Sequence, residues 1–323
     1  MLEITCRTIG GQFLLRPSDD LTERFYGLLG RALALYPVEL HAFAVLSNHW
    51  HCLITPADPA AARDFMRYMH GNLARAINDI LGREGPVWHR ASLTPIADEA
   101  AQVERLRYVL AHGAKEGLVG TPLDWPGPHA ARPLAGREHL SGTWIDRDKL
   151  TRHRRAVAAR RALAAATSQP QPDLPTEDFA TTYAIDLAPI PAWRHLTDAD
   201  RRTRVTALLA DIVSDARAAH PQPLGVAAVL TQSPTTMPLT PLRRTPAPRC
   251  HASTTESYVA FSAARRAFLD AHRTGGLALR AARPAPFPRQ AFPPAVAALR
   301  WPTTILLMPT AASRQLPSLS AST

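Results

Sequence analysis

The chain has 323 residues, of which 37 are lysine or arginine and 27 are aspartate or glutamate, which gives a formal net charge of +10. This length predicts one globular domain plus a second region, and the positive charge favours an anionic partner, with nucleic acid ahead of an acidic membrane surface. Three widely separated cysteines, the lack of an N-terminal signal pattern and the lack of an apolar run of about 18 residues argue against a disulfide scaffold and a membrane protein, so we expect a cytoplasmic protein.

The N-terminal part of the chain switches repeatedly between two hydrophobic periodicities. Alternating polar and apolar residues predict strands, and apolar residues at three- and four-residue steps predict helices. The predicted elements are a strand over residues 2–7, a helix over 18–36, strands over 38–46 and 49–55, a helix over 56–81 and a strand over 92–96. We therefore expect an α+β fold in which a ferredoxin-like βαββαβ unit forms an antiparallel sheet with helices on one face. The other face would remain free for a substrate.

Two histidines, His49 and His51, follow the predicted turn at Ser47 and Asn48 and are separated by one residue. Side chains two apart in a strand share a face, so both imidazoles should point the same way. Neutral imidazole binds several divalent transition metals, and the pair would form half of such a site. The spacing alone leaves the alternative that these are two chance histidines in a chain that has 13.

A further helix is predicted from Asp98 onwards, and it carries Tyr108 and His112 four residues apart. Residues at that spacing lie one above the other on a helix. If the helix crosses the central strands, His112 completes a metal site with the histidine pair, and Tyr108 presents its phenol to whatever the metal holds. The alternative is that Tyr108 is a half-buried packing residue on an amphipathic helix.

The second half of the chain is richer in proline and is expected to be looser. A basic, alanine-rich helix and a linker are predicted over residues 151–175. Residues 176–272 are predicted to form a helical accessory region, and residues 273–323 a disordered tail rich in Ala, Pro and Ser. We therefore expect a mainly helical, partly disordered C-terminal extension. This extension, with its helices and a basic, proline-rich connecting segment, is either a DNA-binding region or a generic helical extension.

Three sequence blocks in residues 1–150 together resemble the single-tyrosine HUH transposases, in particular the branch of REP-associated tyrosine transposases. The blocks are residues 41–54 around the histidine pair, residues 85–90 and residues 107–119. The first contains Ser-Asn-His-Trp-His, which matches the Ser/Pro-Asn-His-hydrophobic-His hallmark of the family. The third commonly reads Tyr-Ile-x-x-Asn-Pro-Val-Arg-Ala-Gly-Leu-Val in the family. Here Tyr108 falls on the nucleophile, His112 on the metal-binding Asn and Lys115 on the Arg.

The resemblance implies a transposase, that is, a metal-dependent single-stranded DNA endonuclease and strand transferase. Such an enzyme works through a 5′-phosphotyrosine intermediate in DNA transposition or in REP-type repeat processing, and rejoining from that intermediate needs no nucleotide cofactor. The resemblance implies Tyr108 as the catalytic nucleophile. The implied cofactor is a divalent metal, Mg²⁺ or Mn²⁺, and its implied ligands are His49, His51 and His112. Histidine in place of the family's asparagine shifts the preference from Mg²⁺ towards softer ions such as Mn²⁺.

The expected partner is single-stranded or hairpin DNA, whose unpaired bases are accessible. The outer face of the helix over residues 56–81 is basic and suits a phosphate backbone. The predicted DNA-binding residues are Arg63, Arg67 and Arg75 on this helix, Arg90 in the second block and Lys115 in the third. A homodimer is left open, and no membrane contact is expected.

Two other functions fit the same residues. One is a metal phosphodiesterase that forms no tyrosyl intermediate. The other is a domesticated regulator that binds hairpin or single-stranded DNA and whose catalysis has lapsed. All three functions keep the basic surface, so the net charge does not separate them.

Overall fold

The computed structural model describes residues 1–164, 176–237, 248–281, 283–285, 287 and 288. The chain forms two compact units, Met1–Val259 and Ala260–Thr323. Among the described helices, none combines the length and the apolar character needed to cross a bilayer. Residues 165–175, at the end of the predicted basic helix and linker, and most of the predicted tail lie outside the described residues.

Four strands form the central sheet, and they pair in the order β2-β3-β1-β4 with every pair antiparallel. The strands are β1 (Leu2–Arg7), β2 (Val38–Leu46), β3 (His49–Pro56) and β4 (Ser92–Pro95). The first half of the chain thus follows the predicted βαββαβ order, and the α+β fold class is confirmed.

Two helices, α1 (Asp19–Leu35) and α2 (Pro59–Leu81), cover one face of this sheet. The side chains of Ser18 and Asp58 cap their first turns, and α2 ends at Gly82 in the left-handed conformation. The core between helices and sheet is aromatic, because the ring of Phe25 lies 5.8 Å from that of Phe43 and 6.0 Å from that of Trp50. These two strand residues therefore point away from the opposite face.

A third helix, α3 (Glu99–Leu110), packs on that opposite face, mainly against β2. The carboxylate of Asp98 caps it by accepting from the backbone N–H of Ala101 at 2.8 Å. In the strand register, Ala44 of β2 lies opposite His51 of β3, and Ala42 lies opposite Leu53. Small side chains on this part of β2 give α3 room to approach the sheet closely.

The remaining elements are α4 (Ala131–Leu134), β5 (Leu140–Ile145), α5 (Arg147–Ala164), β6 (Ala180–Ile185), α6 (Asp198–Ala219), α7 (Val226–Thr231) and α8 (Thr255–Arg280). The extension is mainly helical, as predicted. The sequence patterns did not predict the antiparallel β5–β6 pair. Helix α8 runs to Arg280, past the boundary predicted at residue 272, because Leu277, Ala278 and Leu279 continue its helix-forming sequence. The predicted divisions at residues 150 and 175 stay predictions.

The β5–β6 pair packs against α1 through two glycines that leave no room for a methyl group. A Cβ on Gly142 would lie 2.1 Å from the carbonyl oxygen of Tyr26, and one on Gly27 would lie 2.3 Å from that of Thr143. These contacts involve backbone atoms, so no rotamer change can relieve them. Backbone of β5 therefore lies directly on backbone of α1.

Replacing Gly142 by Ala should lower the free energy of unfolding by about 1–3 kcal/mol, because the added methyl separates β5 from α1. Urea unfolding of the two proteins measures the difference. Gly71→Ala is the matched control, since nothing lies within 4 Å of a Cβ built at that position in α2. It should raise stability by up to about 1 kcal/mol. Equal stability of Gly142→Ala and the natural protein would contradict the close packing.

Candidate metal centre

Three imidazoles meet on the α3 face of the sheet. His49 and His51 point to the same side of β3, as the strand alternation predicts, and His112 reaches them from the turn that follows α3. The ring centroids are 4.3 Å apart for His51 and His112, 5.2 Å for His49 and His51, and 5.5 Å for His49 and His112. One nitrogen from each ring lies within 4.8 Å of the other two, so the three can bind one ion.

Hydrogen bonds fix which nitrogen of each ring is free. In all three rings Nδ1 faces an oxygen acceptor, so Nδ1 carries the hydrogen and Nε2 keeps its lone pair. The pairs are His49 with Asn48 Oδ1 at 2.6 Å, His51 with Glu3 Oε1 at 2.8 Å and His112 with the carbonyl oxygen of Val109 at 3.3 Å. Histidine binds metals as neutral imidazole, and here the Nδ1–H of each ring donates a hydrogen bond while Nε2 is available to a metal.

The burial of the three rings also favours binding of a divalent cation. In the described part of the chain, Nε2 of His51 and Nε2 of His112 are buried without a hydrogen-bond partner. Burial lowers the pKa of His49, His51 and His112, so the rings stay neutral near pH 7. Buried polar atoms without partners are rare, and a bound ion would satisfy both. A set of three imidazoles suits Mn²⁺ and softer ions better than Mg²⁺, which prefers oxygen ligands.

Glu3 supports the histidines from β1, and the sequence reasoning missed it. Its side chain is 3% exposed, and its carboxylate accepts from Nδ1 of His51 and from Nη2 of Arg105 at 2.9 Å. Burial by itself would raise the pKa of Glu3, but His251, His51 and the charge of Arg105 outweigh it and hold the pKa well below its usual range. Glu3 is therefore an ionised carboxylate that orients one histidine of the candidate metal centre.

Tyr108 lies beside the histidines, with its ring centroid 4.8 Å from that of His112 and 5.6 Å from that of His51. Two cations contact the ring. Cζ of Arg105 lies 3.7 Å from the centroid, and Nζ of Lys115 lies 3.3 Å from it. The ring is half-buried, so the structure brings Tyr108 to the metal centre without enclosing it in the core.

A cavity of about 370 Å³ adjoins Tyr108 between α3 and α6. Arg105, Tyr108 and Lys115 line one side of it, and Ile212 and Ala216 line the other. An ion pair between Arg107 and Asp215 joins the two helices at its edge. The cavity therefore has a cationic wall near the histidines and an apolar wall on α6.

The predicted DNA-binding residues do not all lie on the same side of the sheet. Lys115 lies at the metal centre. Arg63, Arg67 and Arg75 lie on the exposed side of α2, whose His70 packs against Trp50, a residue that points away from the histidines. Arg90 is exposed in the segment before β4. The α2 arginines and the metal centre are thus on opposite faces of the sheet, and the DNA-binding role of all five residues stays a prediction.

Sequence reasoning missed four further side chains near the centre: Glu3, Arg7, Arg105 and His251. Arg7 is exposed and lies opposite His49 in the β1–β3 register, where its positive charge adds to the burial that lowers the pKa of His49. The sequence of β1 does contain a signal for two of them. Glu3 and Arg7 lie on the polar side of the strand, where polar and apolar residues alternate. Nothing in the local sequence points to the other two.

Another buried histidine, His129, should make the metal-free protein sensitive to acid. Its Nδ1 accepts from the backbone N–H of Ala131 at 3.0 Å, and burial lowers its pKa to about 4, against an ordinary value of 6.5. The folded state therefore binds fewer protons than the unfolded state between these values, and stability present above pH 6.5 is lost as the pH falls towards 4. The contribution of this one residue is about 3 kcal/mol.

Urea unfolding in EDTA at about pH 7 and about pH 4.5 tests this expectation. His129→Asn, whose Oδ1 can accept the same hydrogen bond without titrating, should lose less stability between the two pH values than the natural protein. His139→Asn makes the same substitution at an exposed position and is the matched control. An equal loss in the His129 variant and the natural protein would contradict the assignment.

Comparison with known proteins adds one partial similarity. No protein-family model matches the sequence, and no curated protein matches it. A solved structure of a REP-associated tyrosine transposase bound to a REP hairpin is similar to part of the chain, with 17% sequence identity and a TM-score of 0.34. The similar region covers 42% of this chain and 79% of that one.

Proposed function

We propose that the protein is a metal-dependent single-stranded DNA endonuclease and strand transferase that forms a 5′-phosphotyrosine intermediate with Tyr108. One observation carries the proposal: three imidazoles, whose Nδ1 atoms face oxygen acceptors and whose Nε2 atoms are therefore available as ligands, lie beside a tyrosine ring that contacts two cations, all on one face of the sheet. The resemblance of the three sequence blocks to the single-tyrosine HUH transposases supports the same activity, with DNA transposition or repeat processing as its context.

The charges around the centre suit a phosphodiester. Arg7 and Lys115 are positive side chains on the histidine face, whereas Glu3 is already satisfied by Arg105 and His51. Nζ of Lys115 also lies 3.6 Å from Oε1 of Glu116, so an anionic substrate would meet the positive charge of Arg7 and a lysine that shares its charge with a glutamate. The net charge of +10 agrees with a nucleic-acid substrate.

In the proposed reaction the phenolic oxygen of Tyr108 attacks the phosphorus of the scissile phosphodiester. The new O–P bond joins the tyrosine to the 5′ phosphate, the P–O3′ bond breaks, the phenolic proton passes to solvent, and the leaving 3′ oxygen takes a proton from water. Rejoining reverses these steps when a 3′ hydroxyl attacks the phosphotyrosine, so the bond energy is kept.

The chain's own residues have defined parts in this reaction. A divalent cation bound at the centre would supply Lewis-acid charge to the phosphate. His49, His51 and His112 would hold it, and Arg105 and Lys115 stabilise the negative charge that builds up around Tyr108 during attack. Of the two ions that the sequence resemblance implies, we propose Mn²⁺ over Mg²⁺, because imidazole nitrogen suits a transition metal better than Mg²⁺. The tyrosine and the histidines belong to one chain, so the proposal needs no second copy, and the homodimer stays a prediction.

Covalent capture of DNA tests the proposal. The full-length protein is incubated with end-labelled single-stranded DNA from the flanks of its own gene, including hairpin-forming segments, in Mn²⁺, Mg²⁺ or EDTA. We expect a labelled protein–DNA adduct that survives denaturation, that forms better in Mn²⁺ than in Mg²⁺ and that is absent in EDTA. Cleavage without an adduct would instead indicate a metal phosphodiesterase. Salt-sensitive binding without cleavage in any ion would indicate a regulator without catalysis.

Arg7 and Lys115 provide a test of which face of the sheet binds the DNA. Replacing both by Ala should weaken single-stranded DNA binding and reduce the slope of log affinity against log salt by about 1.4, since each contact contributes about 0.7. Cleavage should fall as well. The matched pair Arg67→Ala and Arg75→Ala removes the same charge from the opposite face, and it should leave cleavage at saturating DNA unchanged. Equal losses of cleavage in the two pairs would contradict the assignment of the histidine face.

A further inference from the structure

A short segment of the C-terminal extension is fixed beside the metal centre. This segment, residues 248–254, is called the arm here and precedes α8. The backbone N–H of His251 donates to the carbonyl oxygen of Pro95, and the carbonyl oxygen of His251 accepts from Ala97, both at 2.8 Å. Ser253 donates from its backbone and its hydroxyl to the carboxylate of Asp98 at 2.9 and 2.7 Å. The arm is therefore held at His251 and at Ser253, next to the end of β4 and the start of α3.

The side chain of His251 reaches the carboxylate that orients the metal ligand. Its Nε2 lies 2.7 Å from Oε2 of Glu3, and the other oxygen of Glu3 accepts from Nδ1 of His51 at 2.8 Å. The Glu3 side chain is 3% exposed and the His251 side chain 19% exposed. A continuous contact thus runs from the arm through Glu3 to His51.

Glu3 also connects the arm to Tyr108. Nε of Arg105 lies 2.8 Å from Oε2 of Glu3, while the guanidinium of Arg105 contacts the ring of Tyr108. A glutamate side chain has several rotatable bonds, so a single contact to His51 would leave its carboxylate free to turn. His251 contacts Oε2 and Arg105 contacts both carboxylate oxygens, so the carboxylate is held in the orientation that directs Oε1 at His51.

We propose that His251 is a positioning residue of the metal centre, and that the centre reaches full metal affinity only when the arm is docked. This inference rests on the metal site of the proposed function and adds a part of the extension to it. His251 acts through Glu3 and does not contact the metal ligands' free nitrogens. Loss of such an outer contact typically lowers metal affinity about 10- to 100-fold.

Mn²⁺ titration of the full-length protein, followed by calorimetry or by the loss of the free Mn²⁺ resonance signal, tests the inference. His251→Ala should bind Mn²⁺ about 10- to 100-fold more weakly than the natural protein. His251→Gln, whose side-chain N–H₂ can still reach Glu3, should stay within about threefold. Ser253→Ala removes only the hydroxyl contact to Asp98 and keeps the backbone hydrogen bonds of His251 and Ser253, so the arm stays docked and Mn²⁺ should bind normally. Adduct formation by His251→Ala should recover at high Mn²⁺, as expected for a positioning role.

Several outcomes would overturn the inference. They are unchanged Mn²⁺ affinity in His251→Ala, an equal loss in Ser253→Ala, and no Mn²⁺ binding by the natural protein. Glu3→Gln keeps the size of the side chain and tests the same contact if His251→Ala does not fold. It should lose a similar amount of Mn²⁺ affinity. The readout is metal binding, so it is independent of DNA cleavage. A protein that binds Mn²⁺ but forms no adduct would overturn the proposed function and not this inference.

Discussion

Tyr108→Phe is expected to abolish the covalent protein–DNA adduct, with a loss of at least about a thousandfold in its rate of formation. Phenylalanine lacks the oxygen that would attack phosphorus. It keeps the ring, and with it the contacts to Arg105, Lys115 and His112. Mn²⁺ affinity and thermal stability should therefore remain close to those of the natural protein. Denaturing electrophoresis of the labelled adduct measures the loss.

Tyr183→Phe is the matched control for this variant. Its hydroxyl accepts from Nη1 of Arg31 at 2.6 Å on β6, away from the metal centre. It should form the adduct at the natural rate. An adduct that persists in Tyr108→Phe would assign the nucleophile to another residue. Cleavage that persists without an adduct would favour a phosphodiesterase that does not use the tyrosine.

His51→Ala is expected to weaken Mn²⁺ binding by about 100-fold or more and to prevent adduct formation at ordinary Mn²⁺ concentrations. His51 supplies one of three ligand nitrogens and also connects the centre to Glu3. A ligand that binds only the folded protein raises its unfolding temperature, so Mn²⁺ should stabilise the natural protein and not the variant. Thermal unfolding with Mn²⁺ and with EDTA measures both effects.

The removal of a buried ring can also affect folding, and a second variant separates the two effects. His49→Ala changes a partly exposed ligand, so it should lose Mn²⁺ affinity with a smaller loss of stability in EDTA. His139→Ala removes an exposed histidine and should bind Mn²⁺ normally. Normal Mn²⁺ affinity in both ligand variants, with circular dichroism spectra like that of the natural protein, would exclude the proposed ligand set.

Local sequence determined the secondary structure of the first half of the chain and one part of the site. Strand alternation put His49 and His51 on one face, and Ser18 and Gly82 marked helix ends through hydrogen bonds to nearby backbone, whereas α2 begins at Pro59, three residues after its predicted start. These features depend on neighbours within a few residues, so a sequence pattern is sufficient to predict them. The order of the strands and helices was also sufficient to predict the ferredoxin-like fold class, since few topologies are compatible with that order.

Tertiary structure alone decided which distant residues join the histidines. Glu3 meets His51 because β1 pairs with β3 in one particular register, and His251 meets Glu3 because the arm bonds to the end of β4. The same is true of the β5–β6 pair, which packs on α1 through close backbone contacts at Gly142 of β5 and Gly27 of α1. Such contacts join residues far apart in the chain, and their free energy comes from burial and register that no local pattern records. The sequence therefore predicted two metal ligands on one strand, whereas the folded chain decided what surrounds and orients them.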